Sequence, residues 1–138
     1  MPEYPFHIAG MDIFEYAGKP FISIIDSYSG FLMVEQLENK SANHIIDKLK
    51  RRFNHCGYPT KLKCDNSPFN CEAFDKFADE CNIILQYLSP TYAQSNGLAE
   101  KGVAIAKNIL KRCYAAHDWE QYQYRILEFN ATPVAGMG

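Results

Sequence analysis

The spacing of apolar positions divides the chain into strand-like and helical stretches. The first 40 residues hold three short apolar runs: "HIAGMDIFEY" at 7–16, "FISIID" at 21–26 and "FLMVEQL" at 31–37. Each has strand length and is rich in β-branched and aromatic residues. Gly18–Lys19 ahead of Pro20, and Ser27 to Gly30, mark tight turns between them, which predicts an antiparallel meander. The period then becomes helical. From Ser41 to Cys56 the apolar positions are Ala42, Ile45, Ile46, Leu49, Phe53 and Cys56, with Ser41 placed as N-cap and Gly57 just past the end.

"TKLKC" at 60–64 predicts a short strand running into Asp65, and a second helix is expected over 71–81, with Asn70 as a cap and Phe74, Phe77 and Ala78 facing inward. "IILQYL" at 83–88 predicts a fifth strand, and "SPTYAQSNG" at 89–97 a polar loop. The long helix that follows carries Ala99, Val103, Ala106, Leu110 and Cys113 on one stripe, which predicts its buried face. A last helix starts near Asp118, with Trp119, Tyr122, Ile126 and Phe129 on one side, and 131–138 reads as a flexible tail. The order βββ-α-β-α-β-α-α predicts an α/β fold, a mixed five-stranded sheet with helices on both faces. With no repeat, low-complexity tract or linker, residues 1–138 read as a single domain.

Composition narrows the function classes. Hydrophobic residues make up 47% and charged residues 22%, ordinary for a globular protein, and the net charge of −2 argues against a surface basic all over. A local basic patch is compatible with that charge. No apolar run approaches the roughly 20 residues of a membrane helix, and "MPEYPFH" lacks a signal-peptide pattern, so an intracellular protein without a membrane partner is expected. The five cysteines, Cys56, Cys64, Cys71, Cys81 and Cys113, are never spaced as C-x-x-C and read as free, buried thiols.

One residue breaks the strand pattern. Asp12 sits between Met11 and Ile13, in a run where a charge is costly unless something binds it. Asp65 stands at the end of the fourth strand and Glu100 opens the long helix, and such strand ends and helix starts are where α/β sheets gather functional groups. Singly, each acid has an ordinary explanation: a strand bulge, a turn former, a first-turn helix acid. Together, three converging carboxylates repel one another, and hard cations such as Mg²⁺ or Mn²⁺ resolve that repulsion. Two such ions roughly 3.5–4 Å apart clamp a phosphodiester. Asp26 ends the second strand and reads as a turn cap instead.

Three segments, "AGMDIFEY", "KCDNSPF" and "LSPTYAQSNGLAEKG", resemble the catalytic core of retroviral and gypsy-type retrotransposon integrases, from about Pro5 to Gly138. The family's D,D-35-E pattern falls on Asp12, Asp65 and Glu100, with 34 residues between the last two. The tail from "DWEQYQYRILEFNATPVAGMG" is similar to the last core helix and "YNxTP…TG" segment of gypsy-type elements. The resemblance implies an RNase H-like fold and a nuclear polynucleotidyl transferase that trims element DNA ends and joins them to target DNA. It implies Asp12, Asp65 and Glu100 as catalytic and metal-binding residues holding two Mg²⁺ or Mn²⁺ ions. It implies Lys107, one stripe with Glu100 and Lys111, as a grip on DNA, with Tyr92, Gln94 and Ser95 in a loop closing over the DNA end. Asn66 is expected to shape the turn behind Asp65. A homodimer through the first and last long helices is implied, with Trp119, Tyr122 and Tyr124 as interface anchors and host chromatin or another protein as a further partner.

Departures from the family pattern point the other way. Relatives read "DNGPQF" where this chain has "DNSPF", one residue shorter and with Ser67 for a glycine; if that position needs a positive φ, Ser67 is strained there. Ala93 stands where gypsy-type loops have proline, and Val103 where relatives are often polar. Such drift fits an alternative: an integrase-derived core kept by a host as a dimerisation or interaction module with weakened or lost catalysis. A ribonuclease H proper fits less well, since its fourth carboxylate has no counterpart and "QSNG" argues against it.

Overall fold

The computed structural model describes residues 7–88 and 97–132. Three strands come first: β1 (Ile8–Tyr16), β2 (Lys19–Asp26) and β3 (Leu32–Gln36). Helix α1 (Ala42–Cys56), β4 (Lys61–Cys64), α2 (Glu72–Glu80), β5 (Ile84–Tyr87) and α3 (Gly97–Ala115) follow; a 3₁₀ turn at Trp119–Gln121 leads into α4 (Tyr122–Ala131). The sheet order is β3-β2-β1-β4-β5. β1 pairs antiparallel with β2 and parallel with β4, so the sheet is mixed as expected.

Most boundaries fall within a residue or two of the sequence reading, and three local details differ. The first hairpin turns at Ala17–Gly18, not Gly18–Lys19: both residues have positive φ (52° and 76°), as the two-residue turn that matches strand twist requires. Cys71 rather than Asn70 is the N-cap of α2, without a side-chain capping bond. The last helix begins at Tyr122, the stretch before it being 3₁₀. α1 starts as expected, Ser41 accepting from the His44 amide.

Strand alternation builds two cores. On one face Ala9, Met11, Ile22, Ile24 and Leu62 pack against α1 and α2 through Ile45, Leu49, Phe53, Phe74 and Phe77. On the other, Phe14, Phe21, Ile25 and Val34 pack against α3 and α4 through Ala106, Leu110, Cys113 and Ile126. Phe14 and Phe21, partners across β1 and β2, stack with ring centroids 5.4 Å apart. The buried stripe of α3 is Ala99, Gly102, Ala106, Ile109, Leu110 and Cys113; Val103 is only half-buried against it.

The outer edge of β3 is closed by polar side chains of α4. Asn130 accepts from the Leu32 amide and donates to its carbonyl, both at 2.8 Å. Gln123 donates to the Val34 carbonyl at 2.6 Å, and the Tyr122 hydroxyl accepts from the Gln36 amide at 3.3 Å. These bonds satisfy a strand edge that would otherwise invite another strand. Of the cysteines, Cys64 and Cys113 are buried, Cys71 and Cys81 half-buried, and Cys56 is exposed, so the expectation of burial fails for Cys56. Among the described residues no helix is long and apolar enough to cross a membrane.

Candidate carboxylate centre

Asp12 belongs to the face of β1 that looks at α3. Its chain neighbours Met11 and Ile13 point to the opposite core, which resolves the charge in an apolar run by strand alternation. Gly10 lies two residues earlier on the α3 face. A Cβ there would stand 2.9 Å from the Ala99 amide nitrogen and from a Leu98 side-chain carbon. Only glycine lets the first turn of α3 come this close to β1. Glu100, in that first turn, is thereby brought over the strand that carries Asp12.

Register aligns the second acid. Gly10 pairs with Lys63 across the parallel β1–β4 ladder. Two residues beyond that pair on each strand, and on the same face, come Asp12 and Asp65. The electrostatics agree. Burial is the main force raising the Asp12 pKa above the usual carboxylate value, and the charges of Asp65 and Glu100 add to it. The Ile13 amide, donating to Asp12 Oδ1 at 2.8 Å, and the Lys107 ammonium work against the rise.

Asp12 therefore senses both other carboxyls; Asp12 and Asp65 are half-buried and Glu100 is exposed. Among the described residues, no group of three His, Cys, Asp or Glu side chains is drawn together as an ion-holding set. A donor set of three carboxylates fits a hard divalent cation. Cys64, next to Asp65, points into the opposite core, and burial pushes its thiol up to about 12, with both aspartates adding.

Lys107 does stand beside the cluster, exposed, with its Nζ 6.0 Å from the centroid of the Phe14 ring. Lys111 is exposed one turn further along α3. Asn66 is exposed, and its carbonyl accepts from the Asn70 amide, which closes the turn after Asp65. Ser67 does not have a positive φ, so the strain expected from the lost glycine is not there; the Ser67–Pro68 peptide is cis. Tyr92, Gln94 and Ser95 lie outside the described residues. Asp26 is buried at the end of β2, where Oδ2 accepts from the Ser29 amide and hydroxyl; it caps the turn as expected.

The three aromatic anchors separate. Trp119 stacks on Tyr16, meets Phe21 edge-on and has Lys19 Nζ 4.8 Å above its ring. Tyr122 meets Phe21 edge-on and closes the β3 edge. Both pack against this chain's own sheet and stay half-exposed. Tyr124 is 59% exposed and keeps a free surface.

Other contributors escaped the sequence reading. The Gly-x-Asp of "GMD" is a usable signal for a close backbone approach beside the acid. Lys61 and Lys63 alternate with buried Leu62 and Cys64, so they lie on the Asp65 face of β4. The Tyr87 hydroxyl donates to the Phe69 carbonyl (3.1 Å) and Asp75 Oδ1 (2.9 Å), tying the segment after Asp65 to β5 and α2. No local pattern announces that last contact.

Comparison with known proteins gives a consistent picture. No protein-family model matches the chain. In sequence it is 36% identical over 77 residues to the retrovirus-related Pol polyprotein from transposon 297 of Drosophila melanogaster, a match covering 55% of the chain and 7% of that polyprotein. It is 29% identical over 107 residues to the Gag-Pro-Pol polyprotein of simian retrovirus SRV-2, covering 74% of the chain and 6% of the polyprotein. In structure it is similar to the HTLV-2 integrase catalytic core domain in complex with magnesium, with TM-score 0.72, 21% identity, and 92% and 86% of the two chains covered. The BIV integrase catalytic core gives TM-score 0.68 and 18% identity, with 80% and 72% covered. A chain of the simian T-cell lymphotropic virus intasome in complex with PP2A regulatory subunit B56 gamma gives 0.73 and 24%, with 81% and 42% covered.

Proposed function

Starting from a chain with the fold of a retroviral integrase catalytic core, we propose that it is the core of a polynucleotidyl transferase acting on DNA. The observation that carries this reading is the convergence of Asp12, Asp65 and Glu100, each from a different element, on one face of the sheet. Asp12, Asp65 and Glu100 would hold divalent metal. Bound divalent ions supply activation of the attacking oxygen and stabilisation of the leaving oxygen at phosphorus.

The chain's own residues set the stage for that chemistry. Strand pairing fixes Asp12 beside Asp65, and the Gly10 contact fixes the start of α3, hence Glu100, above them. Lys107 and Lys111 on α3 and Lys61 and Lys63 on β4 flank the acids and neutralise DNA phosphates without reading sequence. Asn66 shapes the turn behind Asp65. A second copy docks against α1 and α4, where Tyr124 and Leu127 are exposed.

The test is an oligonucleotide strand-transfer and disintegration assay with Mn²⁺. Activity should vanish in Asp65→Asn; activity that survives this change rules out the site. A second reading is an integrase-derived interaction module, favoured by the exposed Tyr124 and Leu127 on α4. Melting with and without Mg²⁺ or Mn²⁺ separates the two, since a chain that binds the ion only when folded must melt higher in its presence.

A further inference from the structure

A groove of about 440 Å³ runs between α3 and α4, on a different flank of α3 from the carboxylates. Its walls include Ile105, Ile109 and Arg112 from α3 and Arg125, Glu128 and Phe129 from α4. At 100° per residue, these α3 positions lie roughly a third of a turn around the helix from the Glu100–Lys107–Lys111 stripe. The groove is thus separate from the proposed DNA face.

Its chemistry is mixed and incomplete. Ile105, Ile109 and Phe129 give an apolar floor. Two guanidinium groups stand against one carboxylate, and among the described residues neither arginine is ion-paired. Arg125 Nε is buried with no hydrogen-bond partner. A carboxylate on the terminal nitrogens of either guanidinium would make a charge-assisted, bidentate pair.

We propose that this groove docks an acidic segment of another protein, with an apolar side chain on the Ile105–Ile109–Phe129 floor and carboxylates on Arg112 and Arg125. Charge complementarity selects the acid, and the floor selects a peptide over nucleic acid. A phosphate backbone brings no apolar group to cover that floor and gains nothing from it. Glu128 marks a limit on affinity, because it repels the same carboxylates.

The test is fluorescence anisotropy on the full chain with a short labelled peptide of Glu and Leu, beside a counterpart of Gln and Leu. The acidic probe should bind about tenfold more tightly than the neutral one. Arg112→Gln and Arg125→Gln should each weaken it several-fold, with circular dichroism unchanged. Glu128→Gln should tighten it, a gain that misfolding cannot produce. Equal affinity for the two probes, indifference to both arginine changes, or displacement of the probe by a short DNA duplex overturns the proposal. So does sedimentation showing a dimer that both arginine changes dissociate while the probe stays unbound, which assigns the groove to a second copy.

Discussion

One face of one sheet is finished in two ways. Over β1 to β3 it is roofed by α3 and α4, and on β2 Phe21, Ser23 and Ile25 are at most 1% exposed. Over β4 and β5 the same face is open: Lys61 and Lys63 are half-exposed and Ile84 is 56% exposed. Asp12 lies on the last roofed strand, Asp65 at the end of the first open one, and Glu100 in the helix that forms the roof's margin. The candidate centre therefore sits on the boundary between a packed region and an accessible one. The packed side holds the acids in place, and the other side leaves the described strands β4 and β5 accessible.

The sharpest way to break this division is to truncate one side chain in each half. Phe21→Ala should cost about 3–5 kcal/mol, because it removes a buried ring stacked on Phe14 and edged by Trp119 and Tyr122. Ile84→Ala should change stability by no more than about 0.5 kcal/mol. Urea unfolding measures both, and comparable losses would mean that the β4–β5 half is covered in solution.

Gly10→Ala strikes the boundary itself. The new methyl would meet backbone at 2.9 Å, so α3 must shift at its first turn. A loss of about 1–3 kcal/mol is expected, together with loss of any Mg²⁺-linked rise in melting temperature. A variant that keeps its metal response shows that Glu100 does not depend on this close approach.

The open half can be sharpened by salt. If Lys63 meets a phosphate, Lys63→Gln should lower the slope of log affinity against log salt by about one for a DNA duplex. The same change at Lys76 on α2, exposed behind the other face, should leave the slope as it was. Equal slopes for all three proteins remove β4 from the DNA surface.

The sequence announces the roofed half better than the open one. Period-2 runs and the α3 stripe mark β1 to β3 and their cover, because burial writes itself into apolar spacing. Motif order and spacing mark the three acids in the sequence, and both survive a shortened turn. An aromatic residue on a helix face, such as Trp119 or Tyr122, looks alike in the sequence whether it meets its own sheet or another chain. Their fate depended on α4 lying along the β3 edge, a tertiary fact carried by Gln123 and Asn130. Lys61 and Lys63 alternate openly in the sequence, yet their meaning depends on how far α3 reaches across the sheet. The Ala17 turn was missed because alanine gives no local sign of a positive φ.

The smallest expected effect concerns the sign of one charge at the boundary. Asp12 has its pKa raised, first by burial and then by Asp65 and Glu100. In metal-free protein its ionised form is therefore less favourable in the folded chain than in the unfolded one. Above the folded pKa this subtracts a constant amount from stability; the penalty fades as pH falls through that pKa and is gone below the unfolded value near 3.8. Asp12→Asn should thus raise the melting temperature in chelator at neutral pH, with a gain that shrinks on acidification. Adding Mg²⁺ should reverse the order, stabilising the wild-type chain and not the variant, because the ion needs the charge that the fold alone disfavours. A variant that melts lower than wild type in chelator at neutral pH shows instead that the Asp12 carboxylate is held by protein partners, and that the boundary between the two halves is finished without a cation.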